Sequence, residues 1–192
     1  MLLSKHTIGN ARLYDLKTQI NTNFIRTDFN KITYPYRNTS RFKYVNTHKI
    51  IQMPNNLNYP DFKMLSGSGS EEMVYFAMLF FIEQHKLQEN TEISLEAFHM
   101  NPYSYNDTEW FTDTSTKKAI LCVQKEGIIA SMFELSDKNL LNINKNNIDG
   151  FKWDIFPGEM ILFESDKVKQ RYSKNEFENE DGFQDLLIIK TV

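Results

Sequence analysis

From residue 92 onward the chain is a succession of short β-type runs, 92–100, 118–124, 128–135, 151–156, 160–164 and 185–191, separated by turn-forming stretches. Strands of this length and number imply a sandwich or a barrel-like jelly roll. Two earlier runs, 31–36 and 41–52, extend one sheet, and Pro157-Gly158-Glu159 marks a turn between two of the later ones. Residues 102–117 are polar and aromatic without periodicity, which places a long loop at one mouth of the barrel. The acidic stretch 174–182 reads as a solvated hairpin and the Asn-rich 142–147 as a turn.

The first part of the chain carries helical signals. Leu13, Leu16, Ile20 and Phe24 repeat at the spacing of an amphipathic helix. The Gly/Ser segment 66–70 ends in Ser70, which can cap a helix whose first turn holds Glu71 and Glu72 against the helix dipole. That helix is expected to reach about Leu87. Its run Met73 to Ile82 leaves almost no polar face, so it should be covered on most sides by the sheet and the first helix. The expectation is an α+β, mainly β fold: a helical N-terminal part, 1–90, packed on one sheet of a barrel, 91–192, in a single domain spanning 1–192.

At 192 residues with 41% hydrophobic content the chain can bury one core and is short for two. With a net charge of −3 and no Lys/Arg run to track a phosphate backbone, nucleic acid is not an expected partner. Cys122 stands inside the apolar run Ala119-Ile120-Leu121-Cys122-Val123, which reads as a small buried hydrophobe and excludes a disulfide framework. Neither a signal-peptide pattern nor a membrane-length apolar run is visible, so a soluble, cytoplasmic protein is expected.

Four stretches carry a family resemblance: Tyr36-Arg37-Asn38-Thr39-Ser40-Arg41-Phe42; Leu95-Glu96-Ala97-Phe98-His99; Trp110-Phe111-Thr112-Asp113-Thr114; and Pro157-Gly158-Glu159-Met160-Ile161-Leu162-Phe163 with the strand around Phe183-Gln184-Asp185-Leu186. Together they resemble the bacterial 2-oxoglutarate/Fe(II) dioxygenases of the free amino acid hydroxylase type, such as isoleucine 4-hydroxylase. The resemblance implies a double-stranded β-helix, a cupin-like jelly roll. It also implies a site built from two histidines and a carboxylate around Fe(II), with an arginine holding 2-oxoglutarate.

Carried over position by position, that site reads Thr112 for the first histidine, Thr114 for the carboxylate, Gln170 for the distal histidine and Gln184 for the arginine. A threonine hydroxyl or a glutamine amide does not hold Fe(II) as imidazole and carboxylate do. Gln184 in place of arginine forfeits a charge-assisted bidentate contact of about 1.5–3 kcal/mol. Nearby carboxylates leave another ligand set open: Asp113 lies one residue from the carboxylate position, with Asp107, Glu109, Glu134 and Asp166 also available, and His99 is the histidine nearest the expected pocket. Arg37 and Arg41, at i and i+4 of a strand, share a face, where they either receive a ligand carboxylate or pair with Asp or Glu on a neighbouring strand. Tyr103, Tyr105, Trp110 and Phe111 line a cavity, form a protein-binding patch, or anchor the loop.

Three readings follow. In the first, the barrel is catalytically degenerate, expects no cofactor, and acts by binding a small polar metabolite or a partner protein such as an active relative. In the second it is an active oxygenase on a small amino-acid-like substrate, using Fe(II), 2-oxoglutarate and unusual ligands such as His99 and Asp113. In the third it is an unrelated jelly-roll interaction module.

Overall fold

A computed structural model describes residues 1–29, 37–46, 49–54, 69–100, 110–130, 133–138, 151–172, 176–177 and 181–192. In chain order the elements are β1 (Leu2–Lys5), β2 (Arg12–Asp15), α1 (Thr22–Phe29), β3 (Arg37–Asn46), β4 (Lys49–Met53), α2 (Ser70–His85), β5 (Glu92–Met100), β6 (Lys118–Glu126), β7 (Ile128–Ala130), β8 (Phe133–Asp137), β9 (Phe151–Trp153), β10 (Glu159–Phe163), β11 (Val168–Tyr172), β12 (Glu176–Phe177) and β13 (Phe183–Thr191). An eight-stranded sheet runs in the order β1-β2-β10-β6-β13-β5-β3-β4, a second sheet in the order β11-β8-β9, and β12 pairs with β7. Neighbouring strands are antiparallel throughout these pairings.

The central strands are buried on both faces, which is why they read as unbroken apolar runs rather than as alternation. One face of the large sheet presents Ile93, Leu95, Ala97, Leu121, Val123, Met160, Leu162, Leu187 and Ile189 to α1 and α2, which contribute Ile25, Val74, Ala77, Met78, Phe81 and Ile82. The other face presents Phe98, Met100, Ile120, Cys122, Ile161, Phe163, Leu186 and Ile188 to Phe133, Leu135, Trp153 and Val168 of the small sheet. Each such side chain contributes roughly 1.5–3 kcal/mol by leaving water. The result is the expected α+β, mainly β jelly roll: two sheets around an interior, with helices on the outside of one.

Several sequence expectations shift. The apolar spacing from Leu13 to Phe24 does not form one helix. Leu13 pairs with Ile161 within β2 and β10, Leu16 and Ile20 are buried in the following turn, and α1 begins only at Thr22. Sheet pairing at the flank of β10 overrides the helical spacing, and residues 1–90 therefore supply four strands to the large sheet besides the helices. The helix expected from Ser70 is α2; its N-cap is Gly69 with φ 80, and no side chain caps it. The run 41–52 divides into β3 and β4, and 128–135 into β7 and β8. The expected strand 31–36, the loop residues 101–109 and the Asn-rich turn lie outside the described residues, as does much of the acidic hairpin, of which β12 is described.

The Pro157-Gly158 turn sets the entry to β10. The Glu159 N–H donates to the Phe156 carbonyl at 2.8 Å, while the Gly158 N–H donates to Cys122 O and its carbonyl accepts from Leu16 N, each at 2.9 Å. Gly158 has φ +83, and a Cβ there would lie 2.6 Å from Lys17 Cγ and 3.3 Å from Lys17 Cα. Gly158→Ala is therefore expected to lower stability by about 1–3 kcal/mol, read by urea unfolding.

Candidate functional site at the buried Lys118

The segment leading into β6 is docked against β11. Phe111 and Gln170 exchange both backbone hydrogen bonds, each 2.9 Å, and this bridge decides which side chains of the segment face inward. Thr112 and Thr114 are exposed, whereas Asp113 is partly buried and Ser115 is buried. Two further contacts fix the segment: Ser115 and Ser165 hydroxyls meet at 2.9 Å, and Lys117 donates to Glu164 at 2.5 Å. Trp110 stacks under the Arg171 guanidinium, 4.6 Å from the ring centroid.

The centre of the arrangement is a residue that the sequence reading did not single out. The Lys118 ammonium donates to Asp113 Oδ2 at 3.1 Å and to Gln170 Oε1 at 2.8 Å, and lies 5.7 Å from the centre of the Phe111 ring. Its side chain is 5% exposed and that of Asp113 10%. Gln170 is fully buried, and its Nε2 has no hydrogen-bond partner among the described residues. Lys190 adds charge nearby, 2.7 Å from Glu96 and 3.9 Å from Asp113. Alternation could have found Lys118, since it stands two and four residues before Ile120 and Cys122, both interior residues.

Burial pushes the Lys118 ammonium below the usual lysine value, with the charge of Asp113 working against that shift. Burial would raise the Asp113 carboxyl, but the Lys118 charge, the Ser115 N–H and Lys190 outweigh it and bring the group from 3.8 to about 2. Lys118 Nζ and Asp113 Oδ2 face each other as a salt bridge at 3.1 Å. A folded-state pKa below the unfolded value contributes stability that is present above about pH 4 and lost as pH falls toward 2. The wild type is expected to lose about 1–2 kcal/mol more than Asp113→Asn between about pH 5 and pH 2, read by urea unfolding across that range.

The other sequence candidates lie elsewhere. His99 extends the β5 face of Leu95 and Ala97, on the helix side of the sheet, and its Nδ1 lies 2.6 Å from Asp185 Oδ1, with Gln124 donating to the second oxygen of that carboxylate. The structure therefore does not bring His99 and Asp113 together as a ligand pair. Arg41 is ion-paired with Glu92 of β5; the Arg37 backbone lies opposite Phe98, and its side chain is outside the described residues. Gln184 is buried and donates to Cys122 Sγ at 3.7 Å, and burial pushes the Cys122 thiol up to about 12. Glu134 accepts two Arg171 N–H groups at 3.1 and 2.8 Å, and Asp166 is exposed.

No protein-family model matches the chain, and no curated protein matches it. Solved structures do. The structure of IDO from Bacillus thuringiensis superposes with a TM-score of 0.72 at 13% identity, covering 95% of this chain and 89% of that one. The Fe(II)/(alpha)ketoglutarate-dependent dioxygenase TqaL gives 0.69 at 12% identity, covering 94% and 81%. The fold is that of the 2-oxoglutarate/Fe(II) oxygenases. A bsmA homolog from Methylobium petroleophilum PM1 gives 0.60 at 11% identity, covering 81% and 70%.

Among the described residues, the side chains around Lys118 do not make the donor set of an open Fe(II) site. An open Fe(II) site takes two imidazoles and a carboxylate. Here Phe111 offers a ring, Gln170 an amide and Asp113 a carboxylate, and both oxygen-bearing groups already face an ammonium, while the buried Glu96 carboxylate is paired with Lys190 at 2.7 Å. Among the described residues no group of three or more His, Cys, Asp or Glu is placed to hold a metal ion. Three surface grooves, beside Lys17 and Gly158, beside Thr7 and Lys167, and between Tyr44 and α2, are lined by none of Phe111, Asp113, Gln170 and Gln184. No helix among the described residues is long and apolar enough to cross a membrane.

Proposed function

We propose that this chain is a catalytically silent oxygenase-type barrel that acts by binding another protein. The observation that carries the reading is the Lys118 ammonium between Asp113 Oδ2 and Gln170 Oε1, at 3.1 and 2.8 Å. It engages the Asp113 carboxylate and the Gln170 amide, so neither oxygen is left open to a metal. A protein is favoured over a metabolite lodged in the barrel because the described interior side chains are bulky and apolar: Phe98, Met100, Phe133, Trp153 and Phe163 are each at most 6% exposed, and large packed side chains are poor company for a polar guest.

The competing reading, an active oxygenase with unusual ligands, draws on the inward carboxylate of Asp113. It requires Lys118 to leave that carboxylate and a second and third ligand to come from elsewhere. Incubation with Fe(II), ascorbate, 2-oxoglutarate and a pool of free amino acids, read as succinate by mass spectrometry, separates the two. The silent-barrel reading expects no succinate above the protein-free control, and protein-dependent succinate overturns it. The binding half is checked by size-exclusion of the tagged chain from its own cells, where elution with a second protein is expected and elution as the bare chain contradicts it.

A further inference from the structure

We propose that Lys118 is an internal replacement for a divalent metal, its ammonium supplying the positive charge that joins the segment before β6 to β11. The inference rests on the silent-barrel reading and adds to it a specific device. Asp113 and Gln170 belong to two different elements, both turn an oxygen toward one point, and Lys118 Nζ lies within hydrogen-bond distance of each. The Gln170 amide gives its oxygen to the cation even though its buried Nε2 then goes without a partner among the described residues. This is the orientation a cation imposes on an amide, since only the oxygen can accept. The Phe111 ring at 5.7 Å closes the third side.

Charge balance favours the ammonium over a divalent ion. Lys118 and Lys190 stand against the two carboxylates Asp113 and Glu96, a neutral set, and a divalent ion in place of the Lys118 ammonium would leave one positive charge in excess in a buried site. The same two elements are also tied by the Phe111–Gln170 backbone bridge. Lys118 thus ties the segment before β6 to β11 with a charge that belongs to the chain, without a metal supply.

The test compares three proteins, with Co(II) as the probe and ligand-field absorption and melting temperature as the readouts. The wild type and Phe111→His/Gln170→His are expected to bind no Co(II), because the ammonium holds the central point in both. Adding Lys118→Ala to the two histidine substitutions should turn on stoichiometric Co(II) binding, with a rise in melting temperature of roughly 5–10 °C at a hundredfold excess over Kd. Equal binding with Lys118 retained, or none in the triple variant, overturns the inference. If the triple variant does not fold alone, refolding with Co(II) should restore its far-UV circular dichroism, and failure to do so also overturns it. Co(II) binding by the wild type would sink the silent-barrel reading as well; a silent wild type with a silent triple variant sinks the replacement alone.

Discussion

Lys118→Met is expected to cost about 3 kcal/mol of folding stability, toward the lower end of the 3–5 kcal/mol typical of breaking a buried ion pair from one side. Methionine keeps most of the stem's volume, so the loss comes from the charge rather than from a cavity. Asp113 would be left ionised beside an apolar thioether, and the Gln170 amide oxygen would lose the Lys118 ammonium from which it accepts. The lower end is chosen because Asp113 keeps the Ser115 N–H at 3.0 Å and Lys190 is 3.9 Å away. The double variant Lys118→Met/Asp113→Asn should recover part of the loss, because removing both charges removes the uncompensated one. Urea unfolding measures both. A loss below about 1 kcal/mol in the single variant would mean that the pair is not buried in solution as it is here.

Phe163→Ala is expected to cost about 3–5 kcal/mol, the range for deleting a buried phenyl ring with partial relaxation around it. Phe163 is fully buried on the interior face of β10, with its ring centroid 5.4 Å from that of Phe133. The vacated space is apolar, so it should stay dry and accept a small apolar probe such as benzene or xenon, not a dicarboxylate. Benzene should raise the melting temperature of the variant and leave that of the wild type unchanged. A cost below about 1 kcal/mol would point to a loosely filled interior, and the metabolite reading would regain ground.

The barrel was legible where burial on both faces made the strands apolar throughout. β5 matches the expected run 92–100, and β6, β10 and β13 lie within a few residues of theirs. The N-terminal strands were not legible. All four residues of β1 are exposed, so that strand carries no apolar pattern, and β2 exists because β10 pairs with it. The sequence resemblance put Thr112 and Thr114 in the pocket, while the Phe111–Gln170 bridge, a contact between residues far apart in sequence, turns Asp113 inward. His99 was placed beside the pocket by its neighbourhood in sequence, yet the alternation along Leu95 and Ala97 takes it to the helix side. Lys118 opens the expected run 118–124, and the period-two pattern through Ile120 and Cys122 points it inward.

The most direct test of a barrel closed by its own lysine is the melting temperature of metal-stripped protein with and without saturating Mn(II) and 2-oxoglutarate. A ligand that binds only the folded state must raise that temperature. The account predicts no shift with either ligand or with both. A rise that requires both together would contradict it, because Asp113 would then have to leave Lys118 for a metal that holds the 2-oxoacid.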